Sequence, residues 1–197
     1  NRDYNETETL VFITKALEGK GWVVGKNMRL EYKITDGRVH INEDDEHYRD
    51  KALFADYLLF APNGSPLAVV EAKRYCMGDG TGIQQAIKYA NLLNVPFAYS
   101  SNGNNFEYYN LSNAAEGTIE LEDFPTQQEL WDRFCKSKSY TPQQLEIISK
   151  EYYYDADGKE PRYYQRIVID KVIEAIAQEQ KRMMFVMATG TGKTYTA

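Results

Sequence analysis

An α/β fold, built as a mixed sheet flanked by helices and followed by the beginning of a second α/β unit, is predicted by three patterns in this chain. The first is a pair of almost wholly apolar runs, Leu53-Phe54-Ala55-Asp56-Tyr57-Leu58-Leu59-Phe60 and Leu67-Ala68-Val69-Val70-Glu71-Ala72-Lys73, joined through Pro62-Asn63-Gly64. Such runs are neighbouring strands covered on both faces. The second is helical spacing of apolar residues on either side of these strands, at Leu10, Ile13 and Leu17 and again at Ile83, Ala86, Ala90 and Leu93. The third is the apolar run Met183–Met187 leading into a glycine-rich loop.

The elements follow in order. Residues 6 to 18 read as an amphipathic helix stopped by Gly19 and Gly21, and Trp22 to Tyr32 as an extended segment. Asp36-Gly37 predicts a turn, and the acidic segment Asn42 to Glu46 a solvated loop. After the two central strands come a helix over residues 82 to 93, a short strand at Phe97 to Ser100 and another at Phe106 to Tyr109. Residues 112 to 160 are more polar and read as a bridge with short helices at Gln127 to Phe134 and Pro142 to Lys150. From Pro161 a helical pattern through Ile169, Val172, Ile173 and Ile176 leads to the apolar run and its loop.

With 197 residues, the chain can hold one substantial core and the edge of another. A net charge of −6 and 43% hydrophobic residues fit a folded soluble protein and argue against a disordered tail. The acidic balance attracts no nucleic acid globally, so contact with DNA needs a local basic patch or metal ions. Cys76 and Cys135 lack metal-ligand spacing and read as ordinary thiols in a reducing compartment. No membrane-length or secretory apolar run occurs, so a cytoplasmic location is expected. Sixteen tyrosines, clustered at Tyr152-Tyr153-Tyr154 and Tyr163-Tyr164, suit a domain seam or base stacking.

Ala188-Thr189-Gly190-Thr191-Gly192-Lys193-Thr194 has the composition of a phosphate-binding loop. Its glycines let the backbone amides close on phosphates, its lysine adds a mobile positive charge, and its threonine hydroxyl reaches a magnesium ion. Met187 stands where the common pattern has its first glycine, and a turn in a buried hairpin would also account for the glycines. A complete ATPase needs a further carboxylate on a later strand. The chain is therefore expected to be the front part of a longer polypeptide.

The second constellation lies on the central strands. Residues two apart share a strand face, so Glu71 and Lys73 point the same way, and Asp56 on the partner strand is placed to approach Glu71. Two carboxylates and the Ala72 carbonyl form an oxygen-rich site for Mg2+, which polarises a phosphodiester and acidifies bound water. Lys73 is then suited to orient the water and stabilise charge on the phosphate. A salt bridge at a strand end explains Glu71-Ala72-Lys73 equally well, although charges on apolar strands are costly unless paired or metal-bound. Glu6 or Glu8 on the opening helix is a further candidate carboxylate.

Asp56 followed by Glu71-Ala72-Lys73 resembles the metal-dependent nuclease motif of the PD-(D/E)XK superfamily, with Ala55 where a proline is expected before the aspartate. From Glu6-Thr7-Glu8-Thr9 through Gly21-Trp22 to Ser101-Asn102-Gly103, the chain is similar to the N-terminal region of type I restriction enzyme R subunits. Gln85-Ala86-Ile87-Lys88-Tyr89 matches the Gln-x-x-x-Tyr motif of that family, with Gln85 and Tyr89 on one helix face to bind the DNA backbone or brace the site. Gln165, after Pro161-Arg162-Tyr163-Tyr164, resembles the adenine-recognising glutamine of superfamily 2 motors; without the resemblance it would be an ordinary polar cap.

The resemblance implies an endonuclease domain over 1–125, a linker or bridging segment over 126–160 and the start of a RecA-like motor over 161–197. It implies Mg2+ at Asp56, Glu71 and Ala72, and ATP at Gln165, Thr189, Gly190, Thr191, Gly192, Lys193 and Thr194. The implied partners are double-stranded DNA and the methyltransferase and specificity subunits of a type I restriction complex. The competing readings are a stand-alone nuclease-helicase and an ATP-gated DNA-binding scaffold with an inactive nuclease fold.

Overall fold

Helix α1 (Glu6–Gly19) buries Ile13 and Leu17 completely, as its apolar spacing requires. The chain then turns rather than extending. Gly21 and Gly25 take φ of 83° and 85°, and the Asn27 carboxamide accepts from the Val23 N–H (2.6 Å) while donating to the Gly21 carbonyl (3.2 Å). The extended segment predicted from Trp22 therefore starts only at Met28, as β1 (Met28–Thr35). Trp22 is instead a fully buried plug whose indole N–H donates to the Pro125 carbonyl at 3.0 Å.

The computed structural model describes residues 6–35, 39–41, 47–49, 51–73, 81–151 and 161–196. The turn expected at Asp36-Gly37, the acidic segment Asn42 to Glu46, Cys76 and Tyr152-Tyr153-Tyr154 lie outside the described residues. Strands β2 (Val39–Ile41) and β3 (His47–Arg49) form a separate antiparallel pair.

The two apolar runs are β4 (Leu53–Phe60) and β5 (Pro66–Ala72), antiparallel neighbours as predicted. Helix α2 (Thr81–Leu93) leads to β6 (Phe97–Ser101), which pairs parallel with β5, and β7 (Asn105–Asn110) and β8 (Ala115–Glu120) complete the sheet. The order β1-β4-β5-β6-β7-β8, antiparallel except at β5–β6, makes the sheet mixed. Strand β8 was not legible in the sequence. It is an edge strand paired only to β7, and nearly all of its residues face solvent, so no apolar alternation marks it.

Alternation along β4 and β5 divides the core. Tyr57, Leu59, Val70 and Ala72 pack with α1, whereas Leu58, Phe60 and Val69 pack with Ala86, Ala90 and Leu93 of α2. At ~1.5–3 kcal/mol for each fully buried large aliphatic or Phe side chain, this two-sided burial supplies the main favourable term. Helix α3 (Gln127–Lys138) and helix α4 (Pro142–Ile148) begin with capping boxes, Thr126 with Glu129 and Thr141 with Gln144. Their Leu130, Trp131 and Ile148 join the α1-side core, so the segment read as a bridge is packed into the sheet's own interior.

Helix α5 (Tyr163–Ala177) crosses to the second half of the chain, with Tyr163 packed on the α2-side core and Ala177 in the other. The rings of Tyr163 and Tyr164 meet edge-on at 5.4 Å between centroids. The strand expected at Met183–Met187 is corrected by the structure. These residues have no strand conformation, and Met184 and Val186 are 90% and 85% exposed. A strand is held by neighbours, and no described strand lies beside this run to take its backbone hydrogen bonds. The loop ends in the single turn α6 (Lys193–Thr196).

Candidate active site

Ladder pairing between β4 and β5 ends at Tyr57 and Val70, one step before Asp56 and Glu71 would face each other. Beyond that point the carboxylates replace the ladder. The Ala72 N–H donates to Asp56 Oδ2 at 2.7 Å, and the Asp56 N–H donates to Glu71 Oε1 at 3.2 Å. This reciprocal exchange holds both acids on the α2 side at the end of the sheet, with β5 still anchored to β6 through Glu71–Ser100 and Ala72–Ser101 pairing.

Glu71 is only 1% exposed, and Asp56 and Lys73 are partly exposed. Burial, reinforced by the like charge of Asp56, pushes the Glu71 carboxyl up to about 8, while the Asp56 N–H and Lys73 pull it back. The Lys73 ammonium lies 3.9 Å from Glu71 Oε2 and donates to Gln85 Oε1 at 2.8 Å. Gln85 Nε2 in turn donates to the Tyr89 hydroxyl at 3.2 Å. Tyr89 stays a neutral phenol, its pKa raised mainly by burial. Asp56, Glu71, Lys73, Gln85 and Tyr89 are thus brought together, with Gln85 and Tyr89 acting on the lysine as braces.

This donor set suits a hard divalent cation, because two carboxylates on adjacent strands are poorly compensated by a single ammonium. Among the described residues no group of three or more His, Cys, Asp or Glu is close enough to bind a metal, so the Ala72 carbonyl and water would complete such a shell. Glu8 is exposed on α1, a helix packed on the opposite face of the sheet from α2, and no metal-binding group of three acids forms with it among the described residues. The side chain of Glu6 lies outside the described residues.

At the second site Gly190 and Gly192 have φ of 80° and 82°, the left-handed backbone that curls the loop. Lys193 Nζ donates to the Met187 carbonyl at 3.1 Å, and Thr191 Oγ1 donates to the Ala188 carbonyl at 2.6 Å. Thr189 and Thr194 are exposed. Gln165 is buried and tied at both ends: its Oε1 accepts from the Arg162 N–H at 2.8 Å and its Nε2 donates to the Thr191 carbonyl at 2.9 Å. The glutamine therefore caps α5 and clamps the loop.

Two further residues escaped sequence reasoning. Arg166, beside Gln165, stacks 5.6 Å from the Phe60 ring centroid and donates to the Gly64 carbonyl at 3.2 Å, hooking α5 to the β4–β5 turn. No local pattern marks it. Gly82 sits in the first turn of α2 against Ser100 and Lys73; its signal was a glycine inside an otherwise good amphipathic helix.

Residues 25–125, slightly more than half of the chain, match the family described as Type I restriction enzyme R protein N terminus. Residues 158–197 match the family described as Type III restriction enzyme, res subunit. The chain is 45% identical over 190 residues to the type I restriction enzyme EcoAI endonuclease subunit of Escherichia coli, covering 94% of this chain and 23% of that protein. It is 25% identical over 196 residues to the EcoKI endonuclease subunit of Escherichia coli strain K12, covering 73% and 16% respectively. A solved fragment described as an HsdR subunit of a type I restriction enzyme from Vibrio vulnificus YJ016 superposes with a TM-score of 0.83 at 34% identity, over 100% of this chain and 37% of that one. The chain spans less than a quarter of the length of these Escherichia coli relatives. With its mixed sheet, its paired acids at the sheet's end and its glycine loop beyond α5, the chain belongs to the family of type I restriction enzyme R protein N termini.

Proposed function

We propose that this chain is the front part of the ATP-dependent subunit of a type I restriction enzyme that translocates and cleaves DNA. Its sheet is a PD-(D/E)XK nuclease core over residues 1–125, followed by a bridging segment over 126–160 and the start of a RecA-like motor over 161–197. The observation that carries the reading is the reciprocal locking of Asp56 and Glu71 beside Lys73. When bound, Mg2+ would be held by Asp56, Glu71 and the Ala72 carbonyl, and would supply Lewis-acid activation of phosphate and water.

The chain's own residues do the rest. Lys73, steadied by Gln85, presents its ammonium to the charge that builds on the phosphate and orients the attacking water. Tyr89 keeps the Gln85 carbonyl turned to Lys73 by taking its amide N–H. At the second site Thr189, Gly190, Thr191, Gly192, Lys193 and Thr194 would wrap the phosphates of ATP, with Lys193 leaving the Met187 carbonyl to reach them. Gln165 would recognise adenine, a reading supported by its hydrogen bond to the Thr191 carbonyl, which links it to the loop.

Double-stranded DNA is the substrate, recognition is delegated to methyltransferase and specificity subunits, and the location is cytoplasmic. No described helix is long and apolar enough to cross a membrane. The test is magnesium- and ATP-dependent cleavage of unmethylated circular DNA by the full-length subunit, with and without those partners. Cleavage that needs the partners is expected. Equal cleavage without them would make the protein a stand-alone nuclease-helicase, and no cleavage by the full complex would leave a DNA-binding scaffold.

A further inference from the structure

Gly82 has no side chain where one would be favourable: it lies in the first turn of α2, and alanine is the better helix former. The reason is distance. A Cβ placed on Gly82 would lie 2.1 Å from Ser100 Oγ, 2.7 Å from Lys73 Cγ and 3.1 Å from Ser100 Cβ. The Ser100 hydroxyl can swing aside by rotation about one bond. Lys73 Cγ is more constrained, because it lies mid-chain and its ammonium is held to Gln85 at 2.8 Å and lies 3.9 Å from Glu71. Moving the Cγ displaces the ammonium or forces the lysine's remaining torsions to readjust around it.

Gln85 is one helical turn beyond Gly82, so the same helix supplies both the brace for the lysine head and the gap through which its stem passes. Outward displacement of α2 would relieve the clash but withdraw Gln85. Either response loosens the lysine.

Resting on the nuclease reading above, we propose that Gly82 is a positioning residue for DNA cleavage: its missing side chain sets the course of Lys73 past α2 and so the placement of the ammonium beside Glu71. It touches neither substrate nor metal. The role belongs to the combination of close helix approach and lysine threading.

The experiment uses the full-length subunit with its methylation and specificity partners and compares Gly82→Ala, Lys73→Ala, Gly82→Ala/Lys73→Ala and Gly82→Ala/Ser100→Gly. Gly82→Ala is expected to lower the cleavage rate about a hundredfold, the scale on which a ~1 Å misplacement acts, with DNA affinity and ATP turnover unchanged. Ser100→Gly should not restore cleavage. Hydrogen exchange of the α2 amides gives a readout independent of chemistry: protection lost in Gly82→Ala should return in Gly82→Ala/Lys73→Ala and not in Gly82→Ala/Ser100→Gly. This comparison also applies if Gly82→Ala destabilises the local fold. Wild-type cleavage by Gly82→Ala, or recovery with Ser100→Gly alone, would overturn the proposal and leave Gly82 as a helix–sheet spacer. If Lys73→Ala by itself left cleavage intact, the nuclease assignment of Lys73 would fail, while the exchange comparison would still report the contact.

Discussion

Replacing Glu71 by Gln should make the protein more stable at alkaline pH while abolishing cleavage. The glutamine keeps the carbonyl oxygen that accepts from the Asp56 N–H and removes a charge that burial leaves poorly solvated. In the folded chain the carboxyl titrates near 8 rather than at its ordinary 4.5, because of burial and the Asp56 charge. Between these values the native state holds a proton that the unfolded state has released, so stability is fully present below pH 4.5 and falls as pH rises towards 8. At ~1.4 kcal/mol for each pH unit, the whole span is worth on the order of 5 kcal/mol, an upper value because water can enter the open end of the strands.

The assay is thermal unfolding of the 197-residue chain from pH 5 to 8.5 in EDTA. Wild type and Glu71→Gln should coincide near pH 5 and separate by about 10 °C near pH 8.5, at ~2–4 °C per kcal/mol for a chain of this size. Asp170, whose carboxyl burial pushes up to about 7, contributes a slope of the same sign in both proteins, so the difference between them isolates Glu71. Magnesium should narrow the gap by stabilising wild type alone, by ~2.7 kcal/mol at a hundred times its dissociation constant. Parallel pH profiles in EDTA would refute the inference that Glu71 is protonated at neutral pH.

Lys73→Met should keep DNA binding and ATP turnover in the complete complex but reduce cleavage ~10²–10³-fold, as loss of a charge-stabilising donor does; single-turnover cleavage measures it. Gln165→Ala removes the α5 cap and the clamp on Thr191, costing about 1 kcal/mol of stability and weakening discrimination of ATP from GTP more than triphosphate binding; competition binding tests this. Arg166→Ala deletes the hook on Gly64 and the stack on Phe60 and should destabilise the chain by about 2 kcal/mol; urea unfolding measures the loss, and an unchanged midpoint would show that α5 does not depend on the hook.

The central strands and α2 were legible because residues buried on both faces leave an unbroken apolar record, and capped helices such as α3 carry their own start signals. Strand β8 was hidden because its pairing is made by backbone, and Met183–Met187 misled because apolar composition specifies a strand only where a neighbour supplies hydrogen bonds. At the candidate site, the spacing of Glu71 and Lys73 and the presence of Asp56 were determined by sequence alone, through the two-residue period of a strand.

Their chemistry was decided by the tertiary structure. Only the end of the β4–β5 ladder brings the Asp56 N–H to Glu71 and the Ala72 N–H to Asp56, and the burial of that junction, reinforced by the Asp56 charge, raises the Glu71 pKa. The same is true of Gln85, Gly82 and Arg166, whose partners are residues distant in sequence brought together by folding. Sequence periodicity determines which face a side chain takes, because the backbone repeat is local; what it meets there, and how much water remains, depends on packing between segments that the repeat does not encode.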